Sequence, residues 1–201
     1  MEPNIPANNT DESTQMLEGQ LRECFGRVVY SHKTHEKCAD RALEKHHRIK
    51  LGQIILSALT TTSVLSKVLG SDDWVLFLAA VLSVALLILN SYTKDYDLGE
   101  FAQKHRETGA KLWSIRESML SLLVDFKSGQ ITSSEARERR DLLQDELANV
   151  YSAAPSTTTK GYKAAQKGLQ LNEDLTFSDS EIDAFLPAEL KRTKPSTHTL
   201  K

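Results

Sequence analysis

The sequence LGQIILSALTTTSVLSKVLGSDDWVLFLAAVLSVALLILNSY, from Leu51 to Tyr92, decides the fold of this chain. It holds two apolar runs, 51–69 and 74–92. The first run has no charged residue before Lys67, and the second has none. At about 1.5 Å per helical residue, each run is long enough to cross most of a hydrocarbon layer about 30 Å thick. We therefore predict transmembrane helices at 51–69 and 74–92.

The segment between the runs, GSDD at 70–73, is long enough only for a tight turn, so the two helices form a hairpin. Basic residues flank its open end: Arg41, Lys45, Arg48 and Lys50 on one side, and Lys94, Lys104 and Arg106 on the other. By the positive-inside rule we predict a protein of the cell (inner) membrane with both termini in the cytoplasm. Trp74, Tyr92 and Tyr96 are placed as interfacial anchors.

Outside the hairpin the chain is polar. It has 201 residues with 25 basic and 27 acidic side chains and a net charge of -2, which argues against a nucleic acid partner. The N-terminal residues MEPNIPANNTDEST lack the basic and apolar regions of a cleaved signal peptide, so the first membrane helix is expected to be the targeting signal. Cys24 and Cys38 lie in the segment assigned to the cytoplasm and are expected to stay reduced.

A heptad stripe precedes the first apolar run. Its members alternate at spacings of four and three: Leu17, Leu21, Cys24, Val28, Ser31, His35, Cys38, Ala42, Lys45 and Ile49. No proline or glycine pair separates the stripe from Leu51. We predict a disordered lead-in at 1–12 and a cytoplasmic helix at 13–50 that continues into the membrane.

A second heptad stripe follows the hairpin, within a predicted helix at 94–127. Its members are Leu98, Phe101, His105, Thr108, Leu112, Ile115, Met119, Leu122 and Phe126. Leu98, Phe101, Leu112, Ile115, Met119 and Leu122 are the expected contacts to the first arm. The fold class is thus an all-α membrane protein, in which a two-helix transmembrane hairpin continues into an antiparallel cytoplasmic helical bundle.

Two capping boxes punctuate the rest of the chain. TSSE at 132–135 opens a helix at 132–153 that is expected to fold back on the two arms as a third member of the bundle. Residues 154–201 form a polar C-terminal tail, which reads as a linker with one short helix near 162–169. SDSE at 178–181 opens another short helix at 178–190.

Catalytic patterns are missing from the sequence: it has no glycine-rich phosphate loop, HExxH, Cys-x-x-Cys pair or nucleophile elbow. His32, His35 and Cys38 come nearest to a metal cluster, but on one helix they drift around the axis and would need ligands from elsewhere. Polar heptad positions explain them as well. We predict no enzymatic activity, no cofactor and no metal site.

Polar residues inside the apolar runs admit two interpretations. Gln53, Ser57, Thr60 and Lys67 share a face of the first helix, and Ser83 and Asn90 share a face of the second. Such residues either let two helices pack closely or line a wet path. Two helices cannot enclose a path, so the second interpretation requires a homo-oligomer.

The order of these elements resembles the SLATT family, a two-transmembrane effector domain associated with bacterial second-messenger nucleotide synthetases and SLOG proteins. Two segments carry the resemblance, LEGQLRECFGRVVYSHKTHEKCADRALEKHHRIKLGQIILSALTT at 17–61 and SYTKDYDLGEFAQKHRETGAKLW at 91–113. The resemblance implies an oligomeric membrane effector of an antiphage or conflict system that perturbs the membrane, forms pores and stops growth or kills the cell. It also implies a nucleotide-signalling partner protein besides the lipid bilayer. It brings no catalytic residues. The alternative is a non-catalytic membrane anchor or scaffold for a cytosolic partner.

Overall fold

Six α-helices account for most of the computed structural model, which describes residues 7–70, 72–187 and 191–192, with side chains from residue 12 onward. These ranges contain no strand, so the predicted all-α class is confirmed. The helices are α1 (Ala7–Val68), α2 (Trp74–Asp95), α3 (Leu98–Lys127), α4 (Ser133–Ala153), α5 (Thr159–Leu171) and α6 (Asp179–Phe185).

Helix α1 is continuous over 62 residues and extends roughly 90 Å, so the first arm and the first apolar run are one rod. It begins at Ala7, and the predicted lead-in at 1–12 is therefore wrong for 7–12. Extending a helix that is already nucleated costs little even for polar residues, which explains the earlier start. Residues 1–6 lie outside the described ranges. After Val68 the chain turns through Gly70, whose φ of 97° favours glycine.

The helix that leaves the hairpin is interrupted between α2 and α3, whereas α1, which enters the hairpin, is continuous. Helix α2 continues to Asp95 instead of ending at residue 92, and α3 begins at Leu98 instead of residue 94. The cause is Asp97, whose carboxylate accepts hydrogen bonds from the backbone N–H groups of Gly99 (2.8 Å) and Glu100 (2.9 Å). These bonds hold the pKa of Asp97 below its usual value. A capped helix start thus separates the apolar hairpin from the bundle on this side.

Helices α1 and α3 run antiparallel and bury the two stripes against each other. Leu112, Ile115, Met119 and Leu122 are buried, and Leu98 and Phe101 are half-buried near the hairpin. One apolar cluster joins Cys24, Val28, Leu112, Ile115, Met119 and Val150, and another joins Leu17, Leu21, Leu122, Phe126 and Ala136. Nearest the hairpin, α1 and α3 contact each other through the small buried side chains Ala39, Ala42 and Ala102.

Helix α4 packs across the far end of both arms. Its capping box at Thr132 and Glu135 is present, which confirms the predicted start. Ala136 and Val150 are buried, whereas Leu142 points away from the bundle with 64% of its surface exposed.

The C-terminal part differs from the predicted polar tail. Helix α5 is longer than the helix expected near 162–169, and it packs along α1 through the buried residues Gly161, Ala165 and Gly168. It is therefore part of the bundle and not a linker. Helix α6 carries the expected capping box but ends at Phe185, because Pro187 follows. Residues 188–190 of the predicted helix lie outside the described ranges.

Candidate functional site

The apolar hairpin is the part of the chain that its own fold leaves uncovered. Within 12–68 and within 74–127, one helix each is long and apolar enough to cross a membrane. None of the apolar window of the first is buried by the rest of the chain, and only 6% of the second. A soluble core helix would be largely buried, so these surfaces need lipid or other chains to cover them.

The contact between α1 and α2 is asymmetric in chemistry. Helix α2 presents an apolar face on which Ala79 is buried and Val75, Leu82, Leu86 and Leu89 are half-buried. Helix α1 presents small and polar residues there: Gly52, Gln53, Thr60, Ser63 and Lys67, around Leu56. Small and hydroxyl residues let transmembrane helices approach closely, and this face of α1 has that composition.

Gln53 and Asn90 join the two helices directly. The Gln53 amide donates to Asn90 Oδ1 at 2.8 Å and to Thr93 Oγ1 at 3.1 Å. At the other end of the hairpin, the Lys67 ammonium pairs with the Asp73 carboxylate. Both contacts lie within one chain, so Gln53 and Lys67 have partners before any oligomer forms.

The four hydroxyl residues at 60–63 donate their O–H groups to backbone carbonyls of the same helix. Thr60, Thr61, Thr62 and Ser63 each donate to the carbonyl four residues earlier, at 2.8–3.0 Å. This lowers the cost of placing hydroxyl groups in hydrocarbon, because no O–H is left without an acceptor. The hydroxyl oxygens keep free lone pairs, so they remain able to accept hydrogen bonds from water.

Four polar residues lie along one side of the hairpin, which we call the polar edge: Gln53, Ser57, Ser83 and Asn90. Residues four or seven apart fall on the same side of a helix, so Ser57 lies below Gln53 and Ser83 lies below Asn90. The bond between Gln53 and Asn90 brings these two sides together. Ser57, Ser83 and Asn90 are exposed, whereas Thr60 and Lys67 are half-buried toward α2.

The predicted interfacial anchors lie at opposite ends of the hairpin. Trp74 is 63% exposed at the turn. At the open end, Tyr92 and Tyr96 stack with ring centroids 5.0 Å apart. The Lys45 ammonium donates to the Tyr92 hydroxyl at 2.8 Å, and it lies 5.2 Å from the ring centroid. A cation and two amphipathic rings at this end match the chemistry of a headgroup layer.

Above the hairpin, two buried imidazoles connect α1 to α3. His35 Nδ1 and His105 Nδ1 are 2.8 Å apart, and the side chains are 3% and 0% exposed. Burial, together with the neighbouring His105 and His32, lowers the pKa of His35 to about 4. Burial also lowers the pKa of His105. Both rings are therefore neutral at pH 7, and one Nδ1–H donates to the other Nδ1.

The tautomers of this pair follow from its surroundings. His105 Nε2 is buried and has no hydrogen-bond partner among the described residues. A buried N–H without an acceptor is rarer in proteins than an acceptor without a donor. We therefore infer that His105 carries its proton on Nδ1 and donates to His35. The described ranges place no group of three or more His, Cys, Asp or Glu side chains for a metal ion.

Comparison with known families now decides what kind of domain this is. A family model described as "SMODS and SLOG-associating 2TM effector domain family 4" matches residues 17–181. The chain belongs to the SLATT family. The matched range contains the heptad arms, the hairpin, α4 and α5, which confirms the resemblance seen in the sequence and makes the chain a two-transmembrane effector-domain protein. No curated protein and no solved structure matched the chain.

Within this SLATT domain, sequence reasoning missed the docking of α5. The Gly161 backbone lies so close to α1 that an added Cβ would come within 2.3 Å of Cys38 Sγ. Asp174, which follows α5, pairs with the largely buried Lys33 at 3.1 Å. The available signal was the spacing of small residues at 161, 165 and 168, a heptad pattern without large apolar side chains.

Proposed function

We propose that this SLATT protein is the membrane effector of a bacterial antiphage or conflict system and that it acts as a homo-oligomer. On activation it perturbs the membrane by forming a pore, which stops growth or kills the cell. The activity is non-catalytic. The observation that carries this proposal is the polar edge on a hairpin whose surface is mostly apolar and uncovered.

The polar edge supports an oligomer because its chemistry does not suit lipid. Ser57, Ser83 and Asn90 are exposed on one side, while the exposed residues elsewhere on the hairpin are mainly leucine, isoleucine and valine. Polar side chains in the membrane generally face protein or water. Several hairpins arranged with this edge inward would surround a polar path and leave the apolar sides to lipid.

The cytoplasmic bundle is the proposed control element. It continues directly from the hairpin through the unbroken α1, so a rearrangement of the arms would rotate or tilt the first membrane helix. A trigger can shift this equilibrium only by binding one state more tightly than the other. The name of the family supports a nucleotide-signalling protein as the partner. The basic residues at the open end support an inner-membrane orientation with cytoplasmic termini.

The proposal is tested by filling the polar edge with leucine. Ser57→Leu combined with Ser83→Leu should reduce dye leakage from proteoliposomes and depolarisation of expressing cells, because the path loses two hydroxyl groups and gains bulk. The matched control is Thr62→Leu with Ala85→Leu, which adds similar volume on the opposite side of the hairpin, where both residues are exposed. Leakage should persist in the control at equal membrane abundance. Equal leakage from both variants would contradict the proposed lumen.

The alternative, a passive anchor or scaffold, draws on a different observation. Phe177 and Phe185, at the C-terminal end of the described chain, are 65% and 84% exposed, so they could bind a cytosolic partner. Replacing 51–92 with an unrelated hairpin of equal length separates the two functions. A scaffold would keep its activity after the exchange, whereas the proposed effector would lose it.

A further inference from the structure

A cleft of about 460 Å³ lies where α1, the start of α3 and the start of α5 meet, next to the open end of the hairpin. Its apolar wall includes Cys38, Ala42, Leu98 and Phe101, of which Cys38 and Ala42 are buried. Its charged wall consists of Arg41, Glu44, Lys45, Arg48 and Lys160. A lining that holds both apolar and cationic side chains suits a ligand that has both an anionic and an apolar part.

The charges of the cleft do not cancel. Four cationic side chains face one carboxylate, and Glu44 is already paired with Arg48. Lys45 donates to the Tyr92 hydroxyl, which is not an anionic partner. Within the described ranges, Arg41 and Lys160 have no carboxylate within 4.0 Å. The cleft therefore presents three cations, two from α1 and one from α5, that lack an anionic partner in the described part of the chain.

The position of the cleft relative to the membrane indicates where its ligand comes from. Arg48, Lys45 and Arg41 precede Leu51 by three, six and ten residues, or about 4.5, 9 and 15 Å along α1. The polar layer of a bilayer is about 5 to 8 Å thick on each side of the hydrocarbon. Arg48 and Lys45 therefore lie at or just above headgroup level, and Arg41 lies one to two turns above them.

We propose that this cleft binds the phosphate-bearing headgroup of an anionic phospholipid. The phosphate lies between Arg41, Lys45 and Lys160, and the glycerol end rests against Leu98 and Phe101. Tyr92 accepts a hydrogen bond from Lys45, and the lipid enters the cleft from the side of Tyr92, which faces the membrane. The site links the membrane to the start of α5, because Lys160 is adjacent to Gly161, where α5 contacts α1 most closely. The proposal rests on the membrane placement of the hairpin and not on pore formation.

The test measures lipid retained by the full-length, detergent-solubilised protein in native mass spectrometry. Phosphatidylglycerol should be retained in preference to the zwitterionic phosphatidylcholine. Arg41→Gln with Lys160→Gln should weaken retention of phosphatidylglycerol by about 30-fold, since each cation near an anionic surface contributes roughly a fivefold factor. All substituted side chains are exposed, so the fold should survive.

The matched control is Arg22→Gln with Lys163→Gln, which removes the same charge from the same two helices outside the cleft. Retention should be unchanged in the control. Equal losses in both variants, or equal retention of the two lipids, would overturn the site. Binding of inorganic pyrophosphate without retention of phosphatidylglycerol would overturn the lipid as its ligand. A protein that retains phosphatidylglycerol at the cleft but leaks no dye would contradict only the proposed function.

Discussion

His105 lies with its Nδ1 atom 2.8 Å from Nδ1 of His35, and the two rings join α1 to α3 inside the bundle. Phe101 packs edge-on against His105, with centroids 4.5 Å apart. His32, one turn from His35, lies 3.5 Å from the Glu36 carboxylate, and burial lowers its pKa as well. The arms are thus held together at this level by neutral imidazoles that would repel each other if protonated.

The first prediction concerns pH. Because the pKa of His35 falls from 6.5 to about 4 on folding, the unfolded chain binds the extra proton first as the pH drops. The free energy of unfolding should be highest above about pH 6.5, decline as the pH falls toward 4 and level off below pH 4. This group should account for a loss of up to about 3 kcal/mol. Thermal unfolding in detergent at a series of pH values measures the effect.

The control for this prediction is His35→Leu combined with His105→Leu. The variant should have a flatter dependence of melting temperature on pH between 6.5 and 4.5 than the parent protein. Parallel curves for the two proteins would show that the pair does not cause the acid sensitivity.

The second prediction concerns the contact between α5 and α1. Gly161→Ala should destabilise the protein by about 1 to 3 kcal/mol, because the new methyl group would overlap Cys38 Sγ. Adding Cys38→Ala should recover part of this loss, since the removed sulfur leaves room for the methyl group. Melting temperatures of the single and double variants give the coupling.

Gly26→Ala is the matched control, since an added Cβ there has nothing within 4 Å. It should leave stability unchanged or raise it by up to about 1 kcal/mol, as expected for alanine in a helix. If Gly161→Ala behaved in the same way, α5 would not lie as close to α1 as described.

The third prediction concerns the ion pair between Lys33 of α1 and Asp174, which follows the C-terminal end of α5. Lys33 is 8% exposed, and its ammonium lies 3.1 Å from the Asp174 carboxylate. Asp174→Asn should cost about 1 to 3 kcal/mol because a largely buried cation loses its nearest anion. Asp179→Asn removes an exposed pair with Arg192 and should cost less than about 1 kcal/mol. Similar losses for both variants in thermal unfolding would contradict this difference.

The fourth prediction concerns the hairpin. A double-mutant cycle with Gln53→Leu and Asn90→Leu should give a favourable coupling of about 0.6 kcal/mol and at most about 1.7 kcal/mol, the average and the maximum found for hydrogen bonds between membrane helices. Unfolding in mixed micelles measures it. Additive single effects would mean that the two side chains do not interact.

Large apolar side chains made the main bundle predictable. Leu112, Ile115 and Met119 follow a heptad spacing, and that spacing correctly predicts which face of α3 is buried. The capping boxes at Thr132 and Ser178 were equally readable, because each depends on two residues three apart. Where burial of large side chains or a local hydrogen bond determines the structure, the residue pattern along the chain is enough to predict it.

Contacts between distant residues were not predictable in the same way. His35 and His105 each occupied a heptad position, but only the relative register of α1 and α3 brings them together. Helix α5 packs through Gly161, Ala165 and Gly168, and small residues give no hydrophobic periodicity that distinguishes a packed face from a linker. The break at Asp97 needed the geometry of its cap, since an aspartate two residues before a glycine also fits a turn.

The central claim is that several hairpins assemble around the polar edge, and the mass of the detergent-solubilised protein tests it most directly. Light scattering coupled to size-exclusion chromatography, corrected for bound detergent, should give a mass several times the 22.5 kDa of one chain. The Ser57→Leu, Ser83→Leu variant should lower leakage, and its mass can be measured in the same way. A mass equal to one chain, in the activated protein, would contradict the account, because two helices cannot enclose a path.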